Sequence, residues 1–389
     1  MGDAVKVALA PERLFTALGD GVEHGFVLVG DGKIEAVVES LDGRDVPVIR
    51  LSGTTLMPGL MDAHTHVSVL PSRGDQLGQM RARADEQLAA ARPLVLLDLL
   101  SGVTTLRCMG QEHGVDFDLR DEIASGATVG PDVLCAGVQV TKPGAHGHAL
   151  TAVSTDDEVE ALIAANAARG AHLVKIFTTG GVSSVATSAS DSPFTAREIR
   201  LVADAAHRRG LHLAAHEHGG LGAKLAIENG VDTIEHGALL DLDLVESAAA
   251  RRLAIVGTFS IVDHPAGILA GDAGRPEIVG KLREVRSRMA DSWRRILASG
   301  VSVALGTDSM HGCLAHDVAR LVEFGATPAR ALRAVTSEAS EVCRLADRGT
   351  IAAGRRADLI AVRGNPLEDV RALAGPVMVM KAGRVVHSV

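Results

Sequence analysis

His64, His66, Lys175, His216, His236 and Asp308 are side chains that can bind a cation or move a proton, and each closes or sits in a short apolar run. His64-Thr65-His66 puts two imidazoles at i and i+2, the same side of a strand. Two neutral imidazoles on one side can share a divalent ion. His216 closes Leu211–Ala215 and His236 closes Val231–Glu235. Either alone fits a core histidine; their position at the ends of consecutive runs favours ligands. Asp308 follows Val301–Thr307 and suits an N-cap of the next helix as well as a metal ligand that shuttles protons. Lys175 lies in Leu173–Phe177, where a lysine could simply snorkel to solvent. Beside a dication, burial and positive charge would favour its neutral amine. Such an amine adds carbon dioxide to form a carbamate, an anionic donor able to bridge two metals.

Residues so distant in the chain meet only if their strands end at one common rim. Eight candidate strands precede or contain them: Leu60–His66, Val103–Cys108, Val133–Val140, Leu173–Phe177, Leu211–His216, Thr233–His236, Ala254–Thr258 and Val301–Thr307. Helical stretches separate them. Thr155-Asp156-Asp157-Glu158 and Thr195-Ala196-Arg197-Glu198 read as capping boxes. Gly170, Gly210, Gly230 and Gly300 stand where left-handed caps would end helices. Repeated βα units give a parallel sheet, and eight of them predict an α/β, TIM-like (β/α)8 barrel of near the ~250 residues typical of that fold. An open doubly wound sheet is disfavoured, since no G-x-G-x-x-G follows the first strand.

The two ends read differently. Val5–Val7, Gly25–Val29 and Ile34–Val38 near the start, with an Asp31-Gly32 turn, resemble strands and a hairpin. Leu359–Val362, Val377–Met380 and Val385-Val386 do the same near the end. A small β-sandwich built from both termini, residues 1–58 plus 348–389, is therefore expected to flank a barrel over 59–347.

Composition narrows the class. A net charge of −9, 2% aromatics and no tyrosine argue against a nucleic-acid partner. No apolar run reaches the roughly 18 residues of a membrane span. Met1–Leu14 carries Asp3, Lys6, Glu12 and Arg13, unlike a secretory signal, and the four cysteines form no C-x-x-C pair. A reducing, cytoplasmic setting is expected.

The chain resembles the amidohydrolase superfamily, in its binuclear subgroup with a carboxylated lysine. Met57-Pro58-Gly59-Leu60-Met61-Asp62-Ala63-His64-Thr65-His66 matches the opening signature. Gly102–Arg107, Ile234-Glu235-His236-Gly237, Gly306-Thr307-Asp308 and Ala357-Asp358-Leu359-Ile360 match later landmarks. Ala145-His146-Gly147-His148 and Thr179-Gly180-Gly181-Val182 point to the branch of prolidase-like, carboxypeptidase-like, ochratoxin-amidase-like and imidazolonepropionase-related enzymes. The resemblance implies two divalent ions, zinc above all. His64, His66 and Asp308 would hold the more buried one, His216 and His236 the other, and carboxylated Lys175 would bridge them. It further implies attack by a bridging hydroxide, Asp308 as proton shuttle, and His146 as a holder of the substrate carbonyl.

His148 and His218 are candidate substrate-side or ligand-orienting groups. Arg107 fits either a substrate carboxylate or a structural ion pair. The implied reaction is hydrolysis of small amides: N-acyl amino acids, dipeptides or aryl amides. Opening of a cyclic amide or cleavage of a carbamate is the alternative, and an inactive scaffold is a third reading. Deaminase relatives carry a glutamate where this chain has Gly219, which argues against deamination. Dipeptide-cleaving relatives often use a tyrosine that this chain lacks, so His264 or a Ser/Thr of 179–190 would have to replace it. The polar stretch Thr178–Ser192 reads as a substrate lid. A homo-oligomer is the family expectation.

Overall fold

The computed structural model describes residues 7–143, 145–147, 150–183, 187 and 189–389. The N-terminal strand begins at Val7, so Val5 and Lys6 lie outside the described residues, as does His148.

Both ends of the chain meet in one seven-stranded sheet. Its strands are β1 (Val7–Leu14), β2 (Phe26–Gly30), β3 (Lys33–Val38) and β4 (Val48–Pro58) from one end. The middle of the chain supplies β5 (Leu60–Thr65), β6 (Val103–Cys108), β7 (Asp132–Leu134), β8 (Leu173–Phe177), β9 (His212–Glu217), β10 (Thr233–His236), β11 (Ala254–Gly257) and β12 (Ser302–Leu305). The other end adds β13 (Leu359–Arg363), β14 (Met378–Lys381) and β15 (Arg384–Ser388). The terminal sheet runs β15-β14-β13-β4-β1-β2-β3, with β1 parallel to β4 and β13 antiparallel to it. Asp31 (φ 51°) and Gly32 (φ 74°) turn the β2–β3 hairpin, as two left-handed central residues should.

The middle strands form two parallel sheets, β5-β6-β7 and β12-β11-β10-β9-β8. Nearly every residue in them is buried, because helices cover an all-parallel sheet and both strand faces must be apolar. Hydrogen bonds link the two sheets beyond their ends. Val140 donates to the Lys175 carbonyl at 2.7 Å, and Thr307 donates to the His64 carbonyl at 3.0 Å.

The eight expected middle strands all occur, with one correction. The third stops at Leu134 and does not run to Val140. Gly137 turns left-handed (φ 74°) and gives its N–H to the Asp116 carboxylate at 2.8 Å, so the chain leaves the ladder and rejoins it only at Val140. Both capping boxes form. Thr155 and Thr195 each accept from the glutamate three residues on, which reaches back to the cap N–H at 3.0 and 2.8 Å. Gly170, Gly210, Gly230 and Gly300 take φ of 79°, 72°, 101° and 74° at the ends of their helices.

Asp132, at the start of β7, ties the parallel strands to the C-terminal segment. Its carboxylate faces Arg348 and Lys381 at 2.8 Å each, and Arg356. Burial alone would raise its pKa, but Lys381 and Arg356 outweigh burial and hold it below the usual carboxylate range. A depressed folded pKa gives stability that is present above the unfolded pKa of about 4 and is lost as the pH falls below it. Asp132→Asn leaves three cations under-compensated. Because Asp132 is partly exposed, the expected cost is about 2 kcal/mol, less than for a fully buried pair. The urea midpoint at pH 7 checks this, and the difference from wild type should shrink towards pH 3.

Candidate metal centre

The C-terminal ends of the parallel strands carry the singled-out residues to one cavity. His64 is the fifth residue of β5, and His66 follows that strand's end. Lys175 is the third residue of β8, His216 the fifth of β9 and His236 the last of β10. Asp308 stands three residues beyond β12. It does not cap the next helix, which begins at Leu314 behind Cys313. All six line the cavity, together with His146 and His218.

Their separations are short. One candidate donor atom from each of His64, His66 and Asp308 lies within 4.8 Å of the others. Asp308 Oδ1 is 3.5 Å from His64 Nε2 and 3.7 Å from His66 Nε2. His236 Nε2 faces His216 Nδ1 at 2.9 Å. Ring centroids lie 4.7 Å apart for His64 and His236, and 4.6 Å for His216 and His146.

The outer nitrogens of three imidazoles are engaged, which aims the inner ones at the cavity. His64 Nδ1 meets Glu235 at 2.7 Å, His66 Nδ1 the Gly110 carbonyl at 2.9 Å, and His236 Nδ1 the Thr258 hydroxyl at 2.7 Å. A ligand histidine is commonly oriented in this way, through its second nitrogen. The inner atoms His64 Nε2 and His216 Nε2, and the buried Lys175 Nζ, have no hydrogen-bond partner. Orphaned buried donors and acceptors are costly unless something occupies the space between them.

Protonation states suit a cation. Burial pushes His66 down to about 4, and His216 and His236 well below their ordinary values, so near neutrality these rings are uncharged. Burial lowers Lys175 to about 8, bringing the neutral amine within reach. For Asp308 burial works the other way, but the facing His64, then His66 and Lys175, override it and keep the carboxylate ionised.

Backbone strain marks the same places. His236 (φ 77°) and Asp308 (φ 49°) both adopt left-handed backbone, rare for residues other than glycine. Trp293 Nε1 donates to the His236 carbonyl at 3.2 Å, and the Asp308 N–H donates to the His64 carbonyl at 2.8 Å. Gly306 permits the second contact, since a Cβ there would stand 2.4 Å from the His64 nitrogen.

A profile of the amidohydrolase family matches residues 55–386. The chain belongs to the amidohydrolase family. It is 26% identical over 408 residues to ochratoxinase of Aspergillus niger, covering 92% of this chain and 81% of that one. It is also 26% identical over 360 residues to imidazolonepropionase of Deinococcus radiodurans, covering 82% and 80%. The crystal structure of a Xaa-Pro dipeptidase with bound methionine superposes with a TM-score of 0.89 at 29% identity, over 98% of this chain and 100% of that one. Membership makes the chain a hydrolase acting on C–N bonds in a generally metal-dependent family, and the His64–His66–Asp308 group fits that dependence.

The remaining candidates of this amidohydrolase divide. His146 and His218 reach the cavity, each with Nδ1 unpartnered. Arg107 does not line it. Its guanidinium is buried and donates to Glu235 at 2.9 Å and Thr233 at 2.8 Å, so of its two possible roles the structure shows the ion pair. His264 lies against His316 and takes no place in the lining. Of the stretch read as a lid, Val182 and Ser183 line the cavity, while residues 184–186 and 188 lie outside the described residues.

Sequence reading missed the residues that hold the others. Glu235 links His64 to Arg107. Asp62 accepts from the His64 N–H at 3.0 Å and from the Thr307 hydroxyl at 2.6 Å, tying β5 to the chain beyond β12. Both acids were visible in matched motifs, but side-chain partners across strands carry no local signal.

Proposed function

We propose that this chain is a binuclear, metal-dependent amidohydrolase that cleaves small amides, with two divalent ions, zinc above all, and a carboxylated Lys175. The observation that carries this reading is the orphaned Lys175 Nζ beside inward-facing imidazoles. His64, His66 and Asp308 would hold one ion, His216 and His236 the other, and the Lys175 carbamate would reach both. Imidazole and carboxylate donors suit zinc, with manganese or cobalt as substitutes. When bound, two dications supply an activated water at neutral pH and polarise a carbonyl.

The protein's own groups do the rest. Asp308, held ionised, takes the proton released by the attacking water and returns it to the leaving nitrogen. His146, uncharged near neutrality, presents a nitrogen towards the substrate carbonyl. His218 orients its neighbours. Candidate substrates are N-acyl amino acids, dipeptides and aryl amides. Lactam opening or carbamate cleavage is the alternative, and an inactive scaffold is opposed by the intact donor set.

The fold reading goes with this. The two parallel sheets are two arcs of one (β/α)8 barrel over 59–347, supported by the hydrogen bonds that bridge them at Val140 and Thr307. Residues 1–58 and 348–389 are read as the composite β-sandwich, a reading supported by the one seven-stranded sheet that their described strands share. The protein acts in the cytoplasm on small molecules, as a homo-oligomer, without nucleic-acid or membrane partners. Among the described residues no helix is long and apolar enough to cross a membrane.

Protein purified with zinc and bicarbonate should carry about two equivalents of metal per chain. It should also turn over at least one member of a panel of N-acyl amino acids, dipeptides, aryl amides, lactams and carbamates. Turnover at well below two equivalents would remove the binuclear part. Full metal with no turnover across the panel would remove the hydrolase.

A further inference from the structure

The cavity wall outside the ligand cluster describes what flanks the scissile bond; this inference rests on the hydrolase reading above. That wall is formed by Leu77, Met80, Phe177, Ile261, Val262 and Ile268. Among the described lining residues only Lys175 and Asp308 belong to charged types, and both stand inside the ligand cluster. Gln76 supplies a neutral hydrogen-bonding group there, with Nε2 unpartnered.

A dipeptide or N-acyl amino acid carries an α-carboxylate within a few bonds of the scissile amide. Its enzyme needs a cation at that distance, because a carboxylate laid on an apolar wall loses its hydration with nothing in return. Among the described lining residues this wall offers none, and Lys281, whose charge reaches His146 and His218, donates to the Thr187 carbonyl. An uncharged aromatic or branched aliphatic group instead gains from leaving water there. A lining of this kind suits an apolar ligand group fixed by a few polar contacts.

We infer that the site takes neutral amides with apolar flanks, N-aryl amides above all, and discriminates against substrates whose flank carries a free carboxylate. Water adds across the C–N bond. The carbonyl carbon gains the hydroxyl, and the nitrogen leaves with the proton as an uncharged aryl amine. Gln76 donates to an uncharged oxygen of the substrate.

The test uses zinc-loaded, full-length enzyme and a matched pair, hexanoyl-4-methylanilide and hexanoyl-4-aminobenzoate, which differ only in a methyl or a carboxylate on the ring. The neutral member should be favoured by about 100-fold in kcat/KM. Leu77→Arg, a half-buried position on the short stretch Gln76–Met80, should narrow that ratio by at least about tenfold by supplying the missing cation. Preference of wild type for the carboxylate member would overturn the inference and leave the hydrolase standing. An unchanged ratio in a folded Leu77→Arg enzyme would overturn the inference that the aryl flank of the substrate lies on this wall. Cleavage of neither member, with no turnover across the broader panel, would instead overturn the hydrolase reading.

Discussion

Asp308→Asn is expected to lower kcat by roughly a thousandfold, the middle of the range for a positioned proton-transfer group. Asn keeps the size of the side chain and an oxygen donor but cannot accept a proton. The fold should be unaffected. The Asp308 backbone is anchored by its own N–H to the His64 carbonyl, and asparagine tolerates left-handed backbone as well as aspartate does. Metal content measured alongside turnover separates the two functions of the carboxylate. Normal metal with collapsed kcat supports the proton shuttle. Collapsed metal makes the residue chiefly a ligand. A rate close to wild type with normal metal would end the case for Asp308 as the base.

The sequence made the candidate donors legible because strand periodicity is local. His64 and His66 share a side by the two-residue repeat, and Lys175, His216 and His236 lie at or near the C-terminal ends of apolar runs that became β8, β9 and β10. Helix starts were legible for the same reason, since a capping box spans four residues. What stayed hidden depends on contacts between strands. Glu235 points away from the cavity lining yet fixes His64 and Arg107. Nothing in Ile234-Glu235-His236 distinguishes it from a solvent-facing acid. Arg107 stayed ambiguous because only the facing strand says whether its partner is a substrate or a buried carboxylate. The early end of β7 depends on Asp116, 21 residues upstream of the glycine whose N–H it captures.

Lys175 separates the metal reading from a purely structural one, because a lone lysine there sets its ammonium over the Phe177 ring at 5.6 Å with no hydrogen-bond acceptor. Its Nζ is buried without a hydrogen-bond partner, and the drop from 10.5 to about 8 corresponds to about 3 kcal/mol of disfavoured charge. That penalty is carried by metal-free protein below pH 8 and fades as the pH rises through 8 towards the unfolded value of about 10.4. Lys175→Met should therefore stabilise the metal-free chain by about 3 kcal/mol at pH 7, with the gain shrinking at higher pH. The same change should cost the loaded enzyme its bridge. Metal should fall from about two equivalents to one or fewer, and turnover by at least about a hundredfold. Wild-type protein stripped of carbon dioxide should lose activity and regain it with bicarbonate, whereas Lys175→Met should not respond. A substituted protein that keeps both ions and full turnover would eliminate the carbamate. One that is destabilised when metal-free would show that Lys175 has a packing role that its unpartnered ammonium does not reveal.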